Sequence, residues 1–321
     1  MTHAAVSPPR PFALACPDLS AERLGNTGTP GVWHFDTGEP GNKVMLSALI
    51  HGNELCGAWA LKAFLASGLC PRRGTLTLAF CNLAAFDRFD PSDYLPSRFV
   101  DEDLNRVWSP DKLADPTTSE RRRAAELRPW VDQADWLMDF HSMSTSDVPL
   151  QLTGMHQRNI DLALRLGNPA NVIADAGHAA GVRMRDYGRH GAPDDNGTRA
   201  LLIECGFHGA PESRDVALDQ MARFLIEAET LDRADVPSGW LAADASRQQA
   251  LRVTQAISSP SGRFRFARDW KGLESLAAGT LIGWEDGEPV VAPYDNCVLI
   301  MPSVANIRPG VTVLRLAQTI A

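Results

Sequence analysis

The run Val44-Met45-Leu46-Ser47-Ala48-Leu49-Ile50 is almost wholly apolar, and it stops on His51-Gly52-Asn53-Glu54. An apolar stretch without alternation reads as a strand buried on both faces, the kind found inside a parallel sheet covered by helices. Such a strand leaves no face for water, so polar side chains gather at its ends. A histidine with a glutamate three residues later puts two metal-type ligands on one rim. A second histidine arrives the same way, closing Trp136-Leu137-Met138-Asp139-Phe140-His141. Two histidines and one carboxylate form a common protein shell for catalytic zinc, with a position left for water. The His-x-x-Glu spacing alone is weak, because such pairs arise by chance; two histidines at predicted strand ends give it weight.

At 321 residues the chain can hold one large α/β domain and a smaller companion. Residues 1–30 read as an irregular lead-in rich in proline and small residues. From about 32 to 230, strand-like runs (Lys43–Ile50, Thr75–Asn82, Trp136–His141, Ala200–Cys205) alternate with helix-like ones (Glu54–Ser67, Ser119–Val131, Asn159–Leu166, Val216–Leu231). That alternation predicts an α/β fold, a mostly parallel mixed sheet flanked by helices. Residues 83–112 and most of 143–198 show little periodicity, and long irregular stretches in a compact domain are usually functional loops. After about 235 the pattern changes to short β-prone runs between Gly, Pro and Asp turns. The chain is therefore divided into residues 1–235 and a small β-rich C-terminal domain, 236–321.

The net charge of −8 argues against a nucleic-acid partner. No apolar run is long enough for a bilayer-spanning helix, so no membrane is expected. Phe12-Ala13-Leu14-Ala15-Cys16 hints at a lipoprotein cleavage site, but it is short and follows Pro8-Pro9-Arg10-Pro11. The six cysteines are scattered without Cys-x-x-Cys spacing, which suits a reducing compartment and a cytoplasmic location. Nothing in the sequence decides between a monomer and a homo-oligomer.

A third strand end bears on the chemistry. Glu204 nearly closes Leu201-Leu202-Ile203-Glu204-Cys205-Gly206, and in open parallel sheets ligands gather outside the carboxyl ends of the strands. A carboxylate ending an apolar run is partly desolvated, which raises its pKa toward general-base work; a structural ion pair is an equal reading. The run Arg98-Phe99-Val100-Asp101-Glu102-Asp103-Leu104-Asn105-Arg106 carries groups that can hold a carboxylate or stabilise an oxyanion, and it also reads as a salt-bridged surface loop. Asp139, two residues before His141, is placed either to orient that histidine or to form a salt bridge. His3, His34, His156, His178 and His208 read as surface or satisfied loop residues, and Trp59, Trp130, Trp136 and Trp240 as packing residues.

His51-Gly-Asn-Glu54, Asp103-Leu-Asn105-Arg106, Asp139-Phe-His141 and Ile203-Glu204-Cys-Gly resemble, in order, the motifs of the aspartoacylase/succinylglutamate desuccinylase family. The resemblance implies a zinc carboxypeptidase-like fold with a small C-terminal β-domain. It implies one Zn2+ per chain on His51, Glu54 and His141, Glu204 as general base and then proton donor, and Arg98 polarising the scissile carbonyl. It also implies Asn105 and Arg106 on a substrate carboxylate. The family's tyrosine and arginine ahead of the general-base strand have no clear counterparts; His190 falls near the tyrosine's place, and Arg199 is the available arginine. The adjacent Asp194-Asp195 pair would favour an amine over a second carboxylate, and Tyr294 is a weak match to the family's C-terminal tyrosine. The implied activity is hydrolysis of the amide bond of a small N-acyl amino acid or N-acyl amine. A metallocarboxypeptidase and a non-catalytic zinc or ligand-binding module are the alternatives.

Overall fold

The computed structural model describes residues 10–144, 146, 148–177, 180–304 and 307–320, so His3 and His178 lie outside the described residues. In chain order the first half runs β1 (Val32–Asp36), β2 (Lys43–Ala48), α1 (Cys56–Ser67), β3 (Thr75–Phe80), α2 (Leu83–Phe86), α3 (Pro110–Leu113), α4 (Ser119–Gln133) and β4 (Trp136–Met143). It continues β5 (Leu150–Leu152), α5 (Gln157–Arg165), β6 (Asn171–Ala174), β7 (Arg199–Phe207) and α6 (Pro211–Glu227). The C-terminal strands are β8 (Gln249–Ser259), β9 (Arg265–Phe266), β10 (Ser275–Leu276), β11 (Leu281–Glu285), β12 (Glu288–Val291), β13 (Cys297–Ile300) and β14 (Val311–Thr319).

Eleven strands form one sheet in the order β1-β3-β2-β4-β7-β5-β6-β8-β14-β13-β10, and β12-β11-β9 form a small second sheet. The centre, β3-β2-β4-β7, is parallel. Those strands are buried on both faces, which explains their near-continuous apolar sequences. One face packs on α1, α5 and α6 through Phe64, Phe140, Ile203 and Phe224. The other packs on α4 through Met45, Leu127, Val131 and Leu137. From β2 the chain goes out to β3 on one side and returns to β4 on the other. The crevice outside the carboxyl ends of β2 and β4 is thus the point where strand order reverses.

The four predicted strands and four predicted helices of the first two-thirds are all present with shifted ends. Strands β5 and β6 lie inside the stretch read as irregular; at three and four residues they are too short to show a period. The expected C-terminal β-unit is more closely joined than its composition suggests. Strand β8 hydrogen-bonds parallel to β6, and β14, β13 and β10 extend the main sheet from it.

Local chemistry fixes the segments near the crevice. Thr118 accepts the amide of Arg121 and caps α4. The next helical residue but one, Glu120, is fully buried with its carboxylate turned back onto the 98–106 loop. It accepts the backbone amides of Val100 (2.7 Å), Asp101 (3.0 Å) and Glu102 (3.2 Å), and Asn82 Nδ2 at 3.1 Å. Glu120→Ala leaves three loop amides without this acceptor. It should cost about 3 kcal/mol of stability, read as a drop in the denaturation midpoint. Faster hydrogen exchange should be confined to residues 98–106.

Candidate metal and catalytic site

Beyond β2, Leu49 takes a left-handed backbone (φ 57°), turning the chain so that His51–Glu54 folds over the sheet edge. Gly52 is required there. A Cβ on it would stand 2.4 Å from the backbone of Ala85 and Phe86 and 2.5 Å from Ser97 O. The Gly52 amide donates to Arg98 O at 3.2 Å, which fixes Arg98 beside His51. In the neighbouring strands His141 stands in register with Glu204. Just past that pair a bulge sets Ser142 against both Cys205 and Gly206, bending β7 as it leaves the site.

Glu54 is the hub. Its Oε1 lies 2.8 Å from His51 Nδ1 and its Oε2 2.9 Å from His141 Nδ1. Arg98 Nη1 donates to Oε1 at 3.1 Å and the Ser142 amide to Oε2 at 3.0 Å. The outward nitrogens are also held: His51 Nε2 is 3.0 Å from Asp103 Oδ1, and His141 Nε2 is 2.7 Å from Asp139 Oδ2. Asp139 in turn accepts from Ser47 Oγ on β2. Ligand atoms of His51, Glu54 and His141 lie within 4.8 Å of one another, and all three residues are buried.

The electrostatics describe a place built for a cation. Burial alone would push the Glu54 carboxyl up, yet the two imidazoles outweigh it and hold it well below the usual carboxylate range. Burial opposes protonation of His141, but Asp139 and Glu54 overcome it and raise that imidazole well above its ordinary value. Asp103 is likewise held low against its burial, by His51 and Arg98. The space between the two Nδ1 atoms and the Glu54 carboxylate is where a metal ion would stand. Two Nδ1 donors and a carboxylate, with both outer nitrogens on carboxylates, are the donor chemistry of a zinc site. Glu204 faces this cluster with Oε2 buried and without a partner, and burial, opposed by His141, pushes its carboxyl up to about 8.

These groups line a cleft of about 870 Å³ that also takes in Asn53, Ser142, Arg183, His208 and Arg315. Phe266, Trp270, Met301 and Val304 bring the C-terminal strands' loops to its mouth. The structure gathers His51, Glu54, Arg98, Asn105, Arg106, His141 and Glu204 here. Asn105 is partly committed: its Oδ1 accepts the Met184 amide at 2.9 Å and its Nδ2 lies 3.3 Å from His141 Nε2.

His190 and Arg199 are not brought to the cleft. Arg199 opens β7 opposite Trp136 at the start of β4, five residues before Glu204, roughly 16 Å along the strand. It donates to the carbonyls of Asn196 and Thr198. His190 is buried near Asp135 at that same end, and burial and Arg189 lower its pKa to about 4. The acidic pair is corrected with them. Asp195 pairs with Arg189 and accepts the amides of Gly197 and Thr198, so it offers nothing to a ligand in the cleft. Tyr294 is bonded to Thr254 within the C-terminal strands.

Two groups went unread in the sequence, and a third was read only as a loop residue. Arg183 (in the turn before Met184–Asp186) and Arg315 (on β14) flank Asp175, at 3.6 Å and 3.2 Å. Arg183 is 4% exposed and its Nη2 has no partner. An arginine interrupting the apolar pattern of β14 is a signal that could have found Arg315. His208, expected as a satisfied loop residue, is buried on the cleft wall with Nδ1 2.7 Å from Ser142 Oγ.

Residues 40–194 match the family model described as the succinylglutamate desuccinylase/aspartoacylase catalytic domain. No curated protein matches the chain. Among solved structures, it is similar to succinylglutamate desuccinylase from Vibrio parahaemolyticus, with 18% identity, TM-score 0.64 and coverage of 91% of this chain and 87% of that one. The Chromobacterium violaceum enzyme of the same name gives 18% identity and TM-score 0.64, covering 91% and 89%. The product-bound ectoine utilization protein EutE (DoeB) from Ruegeria pomeroyi gives 20% identity and TM-score 0.61, covering 89% and 88%. At these identities the structural likeness speaks for the fold.

Glu204 gives a test of the buried charge pattern. Below pH 4.5 its carboxyl is protonated in folded and unfolded chains alike; between 4.5 and about 8 only the unfolded chain ionises. The stability of metal-free protein, measured against metal-free Glu204→Gln, should therefore fall as pH rises through that window and level off above it. A difference in melting temperature that is flat with pH would remove Glu204 as the buried acid.

Proposed function

With residues 40–194 belonging to the succinylglutamate desuccinylase/aspartoacylase catalytic-domain family, we propose that this chain is a zinc-dependent amidohydrolase. Its substrate is a small N-acyl amino acid or related N-acyl amine whose amine half carries a carboxylate. The observation that carries this reading is the buried His51–Glu54–His141 cluster facing the unpartnered Oε2 of Glu204. A binding module has no need of a high-pKa carboxylate beside the metal ligands.

His51 Nδ1, His141 Nδ1 and Glu54 would hold one zinc ion. When bound, zinc supplies Lewis acidity, making a water more acidic and a carbonyl more electrophilic. Glu204 takes the proton of the attacking water and returns it to the leaving amine. Arg98, half-buried beside Glu54, donates to the scissile carbonyl oxygen as negative charge develops there. Asp103 and Asp139 keep the imidazoles oriented through their second nitrogens. Arg106, Arg183 and Arg315 receive the carboxylate of the amine half. Asn105 holds the Met184 amide and so keeps Arg183 in place. The cleft is of the size that encloses a small molecule, and the C-terminal loops at its mouth favour a short N-acyl compound over a peptide.

His51→Ala and His141→Ala should each bind less than a tenth of the wild-type zinc by elemental analysis, and normal occupancy in either would sink the ligand assignment. Glu204→Gln should retain zinc and lose about 10³-fold or more in kcat; wild-type turnover would take it out of the mechanism. Arg183→Ala and Arg315→Ala should raise KM about tenfold or more for N-acetyl amino acids, with kcat within about threefold. The same variants should leave N-acetyl amines without a carboxylate unchanged. Equal losses on both substrate types would show that these arginines serve the fold and not the carboxylate.

A further inference from the structure

The cleft has a second flank that the arginines do not occupy. Arg106 and Arg183 stand beside Leu104, Val107 and Met184, which pack in the cluster under α4. On the other flank His208 follows the end of β7, its ring centroid 6.1 Å from that of Tyr94. Tyr94 stacks on Phe12 at 5.0 Å, and Phe12 packs against the cluster of the α1 face. With the carboxylate of the amine half on the arginines, the flank of Asn53, Ser142 and His208 is left to receive the acyl half.

That flank is polar and incompletely bonded. Asn53 is 1% exposed and lines the cleft, yet neither its Oδ1 nor its Nδ2 has a partner. A buried carboxamide left so is costly, and its ligand must offer both a donor and an acceptor or bring water that does. His208 has its Nδ1 fixed on Ser142 Oγ at 2.7 Å, which leaves Nε2 as the ring atom for the cleft. Ser142 is itself anchored by its amide on Glu54. Burial, with Arg98 and the two ligand imidazoles, keeps the His208 ring neutral at physiological pH, its pKa lowered to about 4 against the pull of Glu54. Arg10, stacked 4.0 Å over the Phe207 ring, also lines the cleft.

We propose that Asn53 and His208 are specificity-determining residues that select an acyl group bearing its own oxygen, hydroxyl or carboxyl, over a plain alkyl acyl group. The proposal rests on the hydrolase reading for its orientation of the substrate. A plain alkyl chain in this position leaves the Asn53 amide and His208 Nε2 unsatisfied, and sites built for a hydrogen bond reject analogues that lack the partner. The two sources of acyl oxygen differ in charge: a carboxyl would also engage Arg10, a hydroxyl would not.

The test uses zinc-loaded protein and four-carbon probes of matched length. Binding of butyrate, 3-hydroxybutyrate and succinate is measured by calorimetry. In parallel, kcat/KM is measured for the N-butanoyl, N-(3-hydroxybutanoyl) and N-succinyl forms of one amino acid. An oxygen-bearing probe should be preferred over its alkyl match by about tenfold or more. His208→Phe and Asn53→Leu should bring that ratio to within about threefold while zinc content stays at one per chain. His208→Gln, which keeps a hydrogen-bonding group, should retain part of it. Preference for succinyl alone, lost in Arg10→Ala but not in His208→Phe, would overturn the proposal in favour of a simple charge effect. So would equal affinity for the three acids. Silence of all N-acyl compounds combined with an oxygen-dependent, His208-dependent affinity would instead sink the hydrolase reading and leave the pocket assignment standing.

Discussion

A single carboxylate, that of Glu54, ties the centre together. Buried to 2% exposure, it meets both histidines, the Ser142 amide and Arg98. Through those contacts it joins the exit of β2, the end of β4 and the turn that carries Arg98. An anion in so dry a place stays only if positive or donor groups surround it. The outer carboxylates Asp103 and Asp139 extend the pattern one layer further, so negative groups alternate with imidazoles from the sheet outward. This demand explains details that would otherwise look incidental: the left-handed Leu49, the glycine wedged against Ala85 and Phe86, and the buried Glu120 that grips the arginine loop from below.

How legible this was depended on whether a residue belongs to a regular element. His51, His141 and Glu204 each end or nearly end an apolar strand, and parallel strands bring such ends to one rim, so sequence alone could assemble them. The motif resemblance supplied Arg98, Asn105 and Arg106 from an aperiodic loop that propensity could not place. Beyond that, spacing failed. His190 and Arg199 are near Glu204 in the chain but lie at the opposite end of β7, because an extended strand carries its first residue far from its last. Arg183 and Arg315 were hidden for the converse reason: one sits in an irregular segment, and the other in a strand that reaches the cleft only because β8 docks on β6. Strands as short as β5 and β6 leave no period to detect.

The charge around the cleft follows from the same geometry. Read along the chain, Asp194 and Asp195 looked like part of the site, and they suggested an amine. In the fold Asp195 is spent on Arg189 and on local amides, and the cleft beside Glu204 is lined by Arg106, Arg183 and Arg315, with Asp175 between the last two. Charge read along the sequence therefore put into the site an acidic residue that the fold uses elsewhere. The two flanks also differ in kind, Arg106 and Arg183 beside the α4 face and the Asn53 amide and His208 imidazole, with Arg10 near Phe207, beside the α1 face. One end of a bound molecule is thus sorted by charge and the other by hydrogen bonding.

The continuity of the main sheet has a consequence for how the molecule comes into being. His51, Glu54, His141 and Glu204 all precede residue 210, whereas Arg315 lies on β14, which follows every other strand in chain order. On the ribosome all four of these residues are made while the wall carrying Arg315 is still unsynthesised. Under the proposed function, a nascent or C-terminally clipped chain would hold the residues assigned to the reaction before it holds an arginine assigned to choosing what enters.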